Sequence, residues 1–286
     1  MSEKLNRARE SMWIIQDIRA GCWIDQKYYI LRGQKVPNAE YPSFVSTWRR
    51  AANVPMNKVA DLGLPLVMDE LIEMFLECDN YVDARSAFKE IPDLATLKEK
   101  AGPRKAQATF EAQVRGSGLP KNRQDQVLRI VDTEKGYQYS LLDLFGRYRL
   151  GLNQEDAFRY KEAYGGSLVK CLFNVMNTAA GVDPYLAREI ERYARIKGSR
   201  MQLFDDLRDA GQDYQQNSPN VLLSVLRNHE KEELVLFDHL RSVGRKGIDF
   251  NWIASNLPES FNVIYARTAH LRSLVSRERR FLGLRV

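Results

Sequence analysis

The sequence has few of the residues that mark loop-rich or disulfide-bonded proteins. Of 286 residues, 17 are glycine, 10 are proline and 3 are cysteine. So little glycine and proline excludes a low-complexity or collagen-like chain. The cysteines, Cys22, Cys78 and Cys171, are too widely spaced for a disulfide or metal pattern, which favours a reducing cytoplasm.

Long apolar runs are also missing. No stretch approaches the roughly 18 apolar residues of a membrane-spanning helix, and the first residues lack the apolar core of a signal peptide. We therefore predict a cytoplasmic protein without an integral membrane segment. The sequence also shows no Ser-His-Asp pattern and no glycine-rich phosphate loop.

Lys and Arg (43) outnumber Asp and Glu (37), which gives a formal net charge of +6. A basic chain suits nucleic acid, an anionic surface or a small anionic substrate, and it also fits an ordinary solvated surface. Because the basic residues are scattered and no zinc finger or RNP-like motif occurs, we predict no nucleic-acid partner.

Proline placement predicts the fold class. Seven prolines precede residue 121 and three follow it, so the C-terminal half can form long helices. No alternating strand pattern, flexible linker or internal repeat is visible. We predict one all-α domain over residues 1–286, more irregular in its first third.

Two long helices stand out, at about 64–84 and 183–214. Both carry apolar residues at helical spacing. Asp183 is a predicted N-cap of the second helix, with Pro184 at its first position.

Carboxylates interrupt the apolar stripe of the first helix. Asp79 lies one turn after Phe75, and Asp83 follows one turn later. Two inward carboxylates are costly to bury without a cation. The alternative is a helix end at which the stripe turns out to solvent.

The second helix carries Asp205, Asp209 and Asp213, which recur every four residues along one face. Like charges at this spacing repel, and a bound cation would offset the repulsion. Mg²⁺ prefers carboxylate oxygens and shares its other positions with water and phosphate. We expect the small residues Ala194 and Gly198 to leave space on this face. A solvated acidic helix end is the alternative.

A longer motif surrounds these carboxylates and resembles the second aspartate-rich motif of class I isoprenoid synthases. Its residues are Tyr193, Gly198, Gln202, Asp205, Asp206, Asp209 and Asp213. The segment 207–213 is also similar to squalene and phytoene synthases, and residues 79–83 resemble a degenerate first motif. The resemblance covers roughly residues 60–220.

The resemblance implies a single-domain bundle of antiparallel helices around a central apolar cavity, in a chain that forms a homodimer. It implies up to three Mg²⁺ ions, replaceable by Mn²⁺, at the cavity mouth. The implied metal ligands are Asp79, Asp83, Asp205, Asp209 and Asp213. The ions grip a prenyl diphosphate, and cleavage of its carbon–oxygen bond gives an allylic carbocation. Asp79, Asp205 and Arg159 are the implied catalytic residues.

Cationic side chains must contact the diphosphate directly. Arg159 matches the position of a sensor arginine in the cyclases, with Lys161 as a second candidate. The family helix tends to break at a point that corresponds to Gly165 and Gly166. The position of Arg280 near the C-terminus resembles that of the basic segment that closes over the diphosphate in the cyclases. Surface charge is the alternative interpretation of these residues.

A carbocation needs walls that exclude water and do not react. Met74 and Phe75, just before the first motif, and Phe173 and Met176, after Gly166, are predicted to line the cavity. The alternative is ordinary core packing.

Features of a second diphosphate site are missing. Only Arg49, Arg50 and Arg85 faintly match the basic residues of chain-elongating enzymes, and 163–164 lacks their Lys-Thr pair. The leading hypothesis is therefore a Mg²⁺-dependent terpene synthase. It would ionise a linear prenyl diphosphate of fifteen to twenty-five carbons and cyclise or rearrange the cation. The alternatives are a trans-prenyltransferase, a head-to-head condensing enzyme of the squalene and phytoene type, or a non-catalytic helical binding subunit.

Overall fold

The computed structural model describes residues 43–64, 66–72, 74–75, 104–146, 151–216, 218–243 and 250–284. Regular structure within these ranges is helical, and they contain no strand. This confirms the predicted all-α class. None of the helices in these ranges is long and apolar enough to span a bilayer.

The labelled helices follow one another along the chain, and residues 64, 66–72 and 74–75 are helical as well. Their bounds are α1 Ser43–Ala51, α2 Met56–Asp61, α3 Arg104–Gly116, α4 Lys121–Gly146, α5 Gln154–Ala180, α6 Pro184–Gln216, α7 Val221–Leu226, α8 Glu230–Val243, α9 Phe250–Asn256 and α10 Pro258–Phe281.

Local capping signals fix the long central helices α5 and α6. The side chain of Asn153 accepts a hydrogen bond from the backbone N–H of Asp156 at the start of α5. Helix α5 ends at Ala180 and is capped by Gly181, whose φ of 65° is in the left-handed region that glycine adopts without strain. Asp183 Oδ1 accepts the N–H groups of Tyr185 (2.9 Å) and Leu186 (3.2 Å). The predicted second helix and its N-cap are thereby confirmed.

The short turn after α5 brings α6 back along it in the antiparallel sense. Near the turn, Asn177 Nδ2 donates to the carbonyl of Ala187 (3.3 Å). At the far end of the same interface, Lys161 contacts Asp206. As the residue number falls along α5, the number of its partner rises along α6, which is the register of an antiparallel pair.

Two neighbouring helices pack on this pair through polar contacts at their edges. Gln138 Nε2 of α4 donates a hydrogen bond to Ser167 Oγ of α5 (2.6 Å). Helix α10 pairs Arg267 with Glu162 of α5 (Nη2 to Oε2, 3.0 Å). The buried Glu278 of α10 accepts Arg192 Nη2 of α6 at 2.6 Å. Helix α4 therefore contacts α5, and α10 contacts both α5 and α6.

The apolar core falls into two clusters along the α5–α6 pair. The first surrounds the C-terminal half of α5 and the start of α6, and includes Trp48, whose Nε1 donates to Asn177 Oδ1 at 2.8 Å. The second surrounds the start of α5 and the later part of α6, with α7, α8 and α10. The acidic motif of α6 belongs to the second cluster's end of the helix pair.

Candidate functional site

The acidic face of α6 carries two carboxylates that share one cation. Arg208 Nη2 donates to Asp205 Oδ1 (2.6 Å) and to Asp209 Oδ2 (3.0 Å), and Arg208 Nε donates to Asp209 Oδ1 (2.9 Å). The side chains of Asp205 and Asp209 are 44% and 34% exposed. The charge repulsion predicted along this stripe is therefore offset by an arginine of the same helix.

Asp213, the third carboxylate of the stripe, is held by the neighbouring helix α7. Asn220 Nδ2 donates to Asp213 Oδ2 at 2.6 Å and to the backbone carbonyl of Asp206 at 2.7 Å. The Asn220 side-chain oxygen accepts the N–H of Leu223 and so caps α7. This single buried asparagine joins the start of α7 to the end of the acidic motif.

The most buried carboxylate of the motif is Asp206, which points into the helix bundle. Lys161 Nζ of α5 lies 2.9 Å from Asp206 Oδ1, and the side chains of Lys161 and Asp206 are 12% and 2% exposed. The backbone N–H of Val221 donates to Asp206 Oδ2 (2.8 Å), and Gln202 Nε2 reaches Oδ1 (3.4 Å). Asp206 therefore connects α5, α6 and α7.

Burial and charge act in opposite directions on this pair. Burial raises the pKa of Asp206, while Lys161 and the N–H of Val221 act to lower it. Burial also lowers the pKa of Lys161, but the charges of Asp206 and Asp213 outweigh burial and hold that pKa well above its usual range. Lys161 is therefore protonated at neutral pH, and the contact is a buried salt bridge.

The helix break expected at Gly165 and Gly166 is wrong, because α5 runs without interruption through both residues. The absence of a side chain at both residues instead allows the backbones of α5 and α6 to approach each other closely. A Cβ at Gly165 would lie 2.8 Å from the Gly198 carbonyl, and one at Gly166 would lie 2.6 Å from Ser199 Oγ. The expected space beside Gly198 is likewise filled, since a Cβ there would meet the Gly165 carbonyl and Val169.

The predicted diphosphate-binding cations lie in different surroundings. Arg159 is exposed on α5 and pairs with Glu155 (3.2 Å) and Asp156 (4.0 Å) of its own helix. Lys161 is engaged with Asp206, as described above. Arg280 is exposed in the last turn of α10. The contact of these three residues with a diphosphate stays a prediction.

The four predicted cavity-lining residues are all buried in the first core cluster. Met74, Phe173 and Met176 are at most 1% exposed and Phe75 is 9% exposed. The Phe173 ring meets the Tyr193 ring edge-on at a centroid distance of 6.3 Å. Burial fits both a closed cavity wall and plain core, so their role as cavity wall stays a prediction.

The first acidic motif, with Asp79 and Asp83, lies outside the described residues. Within the described ranges, no three His, Cys, Asp or Glu side chains come together as a metal site. Three of the five predicted metal ligands are described: Asp205 and Asp209, which pair with Arg208, and Asp213, which is bound to Asn220.

Asp206 and Asn220 are functional positions to which the sequence alone assigns no separate role. The signal for Asp206 was its position three residues after Leu203 and four before Ala210, both fully buried on the apolar face of α6. Lys161 carries the same signal between the buried residues Phe158 and Gly165. For Asn220, the local signal was only that of a helix cap.

Comparison of the chain with protein-family models, with curated proteins and with solved structures gives no match.

Proposed function

We propose that this chain is a Mg²⁺-dependent class I terpene synthase that ionises a linear prenyl diphosphate. One observation of the structure supports the proposal best. Asp205 and Asp209 lie one helical turn apart on a partly exposed face, and a single guanidinium satisfies both. Carboxylate oxygens on a partly exposed helix face are the kind of ligand that Mg²⁺ binds while it keeps several waters.

The donor chemistry of this pair fits Mg²⁺. Both residues offer carboxylate oxygens, and their partial exposure suits an ion that keeps several waters. Asp205 and Asp209 would hold the ion, while Asp79, Asp83 and Asp213 remain the other predicted ligands. Bound there, Mg²⁺ would stabilise the negative charge that develops on a leaving diphosphate.

The chain's own residues supply the framework for that chemistry. The Lys161–Asp206 salt bridge and the Asn220 contacts hold α5, α6 and α7 together beneath the acidic face. In the proposed step the allylic carbon–oxygen bond breaks, and its electron pair leaves with the diphosphate. The resulting carbocation requires a dry apolar wall, a role for which Phe173 and Met176 stay the predicted residues.

The direct test is incubation of the purified chain with geranyl, farnesyl, geranylgeranyl and geranylfarnesyl diphosphates and Mg²⁺. Released diphosphate and organic products are measured, the latter by gas chromatography. We expect diphosphate release from at least one of these prenyl diphosphates when it is supplied without a second substrate. Turnover only with isopentenyl diphosphate, or by joining two prenyl diphosphates, would identify a two-substrate enzyme instead.

The matched variants are D209N and D238N. Loss of a metal-facing carboxylate should reduce the rate by at least about a hundredfold. Asp238 is a surface aspartate of α8, with its side chain 77% exposed, so D238N should retain activity. Equal activity in both variants would argue against the assigned site.

A second candidate is a non-catalytic helical binding subunit, and one observation favours it. In the described chain each carboxylate of the α6 motif already has a protein partner: Arg208 for Asp205 and Asp209, Lys161 for Asp206 and Asn220 for Asp213. Such a protein would behave normally after D205A and D209A. Loss of product formation in those variants, with helical circular dichroism intact, would exclude it. The homodimer and the cytoplasmic location stay predictions.

A further inference from the structure

A pocket of about 560 Å³ lies between the C-terminal ends of α1 and α10. Small-molecule sites in proteins commonly measure roughly 300 to 1,000 Å³ and combine apolar walls with a few polar groups. The side chains that line this pocket have that mixed character, and they are Arg49, Arg50, Asn53, Val54, Pro55 and Leu284. The pocket is therefore large enough for a small organic molecule.

The end of α1 that borders the pocket is closed by backbone hydrogen bonds. The N–H of Val54 donates to the carbonyl of Arg49 (3.0 Å), and the N–H of Asn53 donates to that of Arg50 (3.3 Å). Asn53 has a φ of 52°, in the left-handed region that such a cap requires. Because these two carbonyls are satisfied, the helix end offers the pocket its side chains rather than unpaired acceptors.

The end of α10 repeats this arrangement on the other side of the pocket. The N–H of Leu284 donates to the carbonyl of Arg279 (2.9 Å). The N–H of Gly283, whose φ is 65°, donates to the carbonyl of Arg280 (3.1 Å). A Cβ placed on Gly283 would meet nothing within 4 Å, so the pocket is open beside this residue.

The polar part of the pocket is cationic. Arg49 and Arg50 lie in the last turn of α1, and the described lining residues include no acidic side chain. Arg49 is half-buried, and within the described ranges its side chain makes no salt bridge or hydrogen bond. A guanidinium carries forked donors that match a carboxylate or a phosphate. Arginines in a last turn also complement the negative end of the helix dipole, and a matched control separates the two roles.

The pocket is distinct from the acidic face of α6. Trp48, the neighbour of Arg49, bonds to Asn177 near the end of α5. Lys161, which pairs with Asp206, lies about 24 Å earlier along α5 at a rise of 1.5 Å per residue. The two sites therefore lie near opposite ends of the α5–α6 pair.

We propose that this pocket binds a small organic anion. Its phosphate or carboxylate group pairs with Arg49 and Arg50, Asn53 supplies a further donor, and its apolar part packs on the aliphatic side of the wall. The inference does not depend on the proposed function, because no residue of the acidic face takes part in it.

The test is isothermal titration calorimetry of the full chain with phenyl phosphate, with benzoate and with neutral phenol. We expect at least one of the two anions to bind, and R49Q to weaken its affinity by about tenfold, the effect of losing one charge-assisted hydrogen bond. R241Q is the matched control, because Arg241 lies in the last turn of α8 with its side chain 81% exposed. R241Q should match wild type.

No binding of either anion to wild type would overturn the inference. Equal losses in R49Q and R241Q, or phenol binding as tightly as the anions, would also overturn it. Circular dichroism checks that each variant is folded. If R49Q does not fold, N53G replaces it, because glycine adopts the φ of 52° without strain and removes the amide. Unchanged affinity in N53G would then overturn the inference.

A lipid head group carries the same phosphate chemistry as a free small molecule. Vesicles that contain phosphatidic acid therefore form a further arm of the experiment. Cosedimentation that R49Q removes would identify a lipid as the source of the anion. Binding of phenyl phosphate or benzoate without cosedimentation would identify a free small molecule.

Discussion

Replacement of Lys161 by methionine should reveal how much the buried salt bridge contributes. In K161M the buried carboxylate of Asp206 loses its cationic partner and keeps the N–H of Val221 and the weaker Gln202 contact. Removal of one member of a buried ion pair costs about 3 to 5 kcal/mol, because the remaining charge is left in a poorly solvated site. We expect a loss of that size in the free energy of unfolding at neutral pH, measured by urea titration.

The stability loss in K161M should also depend on pH, because it leaves the Asp206 carboxylate without its cation. Burial raises the pKa of Asp206, and Lys161 opposes that rise, so the pKa should rise further in K161M. A carboxyl group with a raised folded-state pKa contributes stability that is fully present below its unfolded pKa. That stability is lost as the pH rises through the folded-state pKa. The loss in the free energy of unfolding that K161M shows at neutral pH should therefore become smaller as the pH is lowered. It should return to its full size when the pH is raised to neutral again.

Two further variants serve as controls for this prediction. Lys170, on the same helix, is 46% exposed and lies 3.9 Å from Glu191, so K170M should cost no more than about 1 kcal/mol. The double variant K161M/D206L replaces both charges by apolar groups and should recover much of the loss. A deficit in K161M that stays below about 1 kcal/mol, or that does not depend on pH, would refute the buried-pair reasoning.

Three other substitutions test helix packing by urea titration. G198A should destabilise the fold by about 1 to 3 kcal/mol, since its new methyl group would meet the Gly165 carbonyl. G136A, with nothing within 4 Å of the added carbon, should instead stabilise α4 by up to about 1 kcal/mol, and equal effects would contradict the close-contact account. W48F should cost about 1 to 3 kcal/mol by removing the indole donor from Asn177 Oδ1, and a negligible cost would show that this bond adds little.

The sequence was sufficient for those parts of the fold that depend on local signals. Helix α6 begins where the Asp183 cap and Pro184 predict, because both act within one turn of the helix start. The all-α class followed from the placement of prolines and from the helical spacing of apolar residues. These features need no knowledge of what packs against the helix.

The parts that sequence reasoning missed depend on the facing helix. Asp205 and Asp206 are neighbours in the motif, yet one is held at the surface by Arg208 and the other is buried against Lys161. The apolar residues around Asp206 indicated burial, but not that α5 would supply the matching cation. Gly165 and Gly198 were interpreted as a break and a space for the same reason. Only the antiparallel register shows that the backbone carbonyl of each glycine occupies the space that a side chain on the other glycine would need.

The central claim is that the acidic face of α6 takes part in ionising a prenyl diphosphate. The most direct measurement is the rate of inorganic diphosphate release from each of the four prenyl diphosphates by the purified chain, with and without Mg²⁺. The account predicts release from at least one of them that requires Mg²⁺ and is lost in D209N but kept in D238N. No release from any of them with Mg²⁺ or Mn²⁺, or release that D209N leaves unchanged, would contradict it.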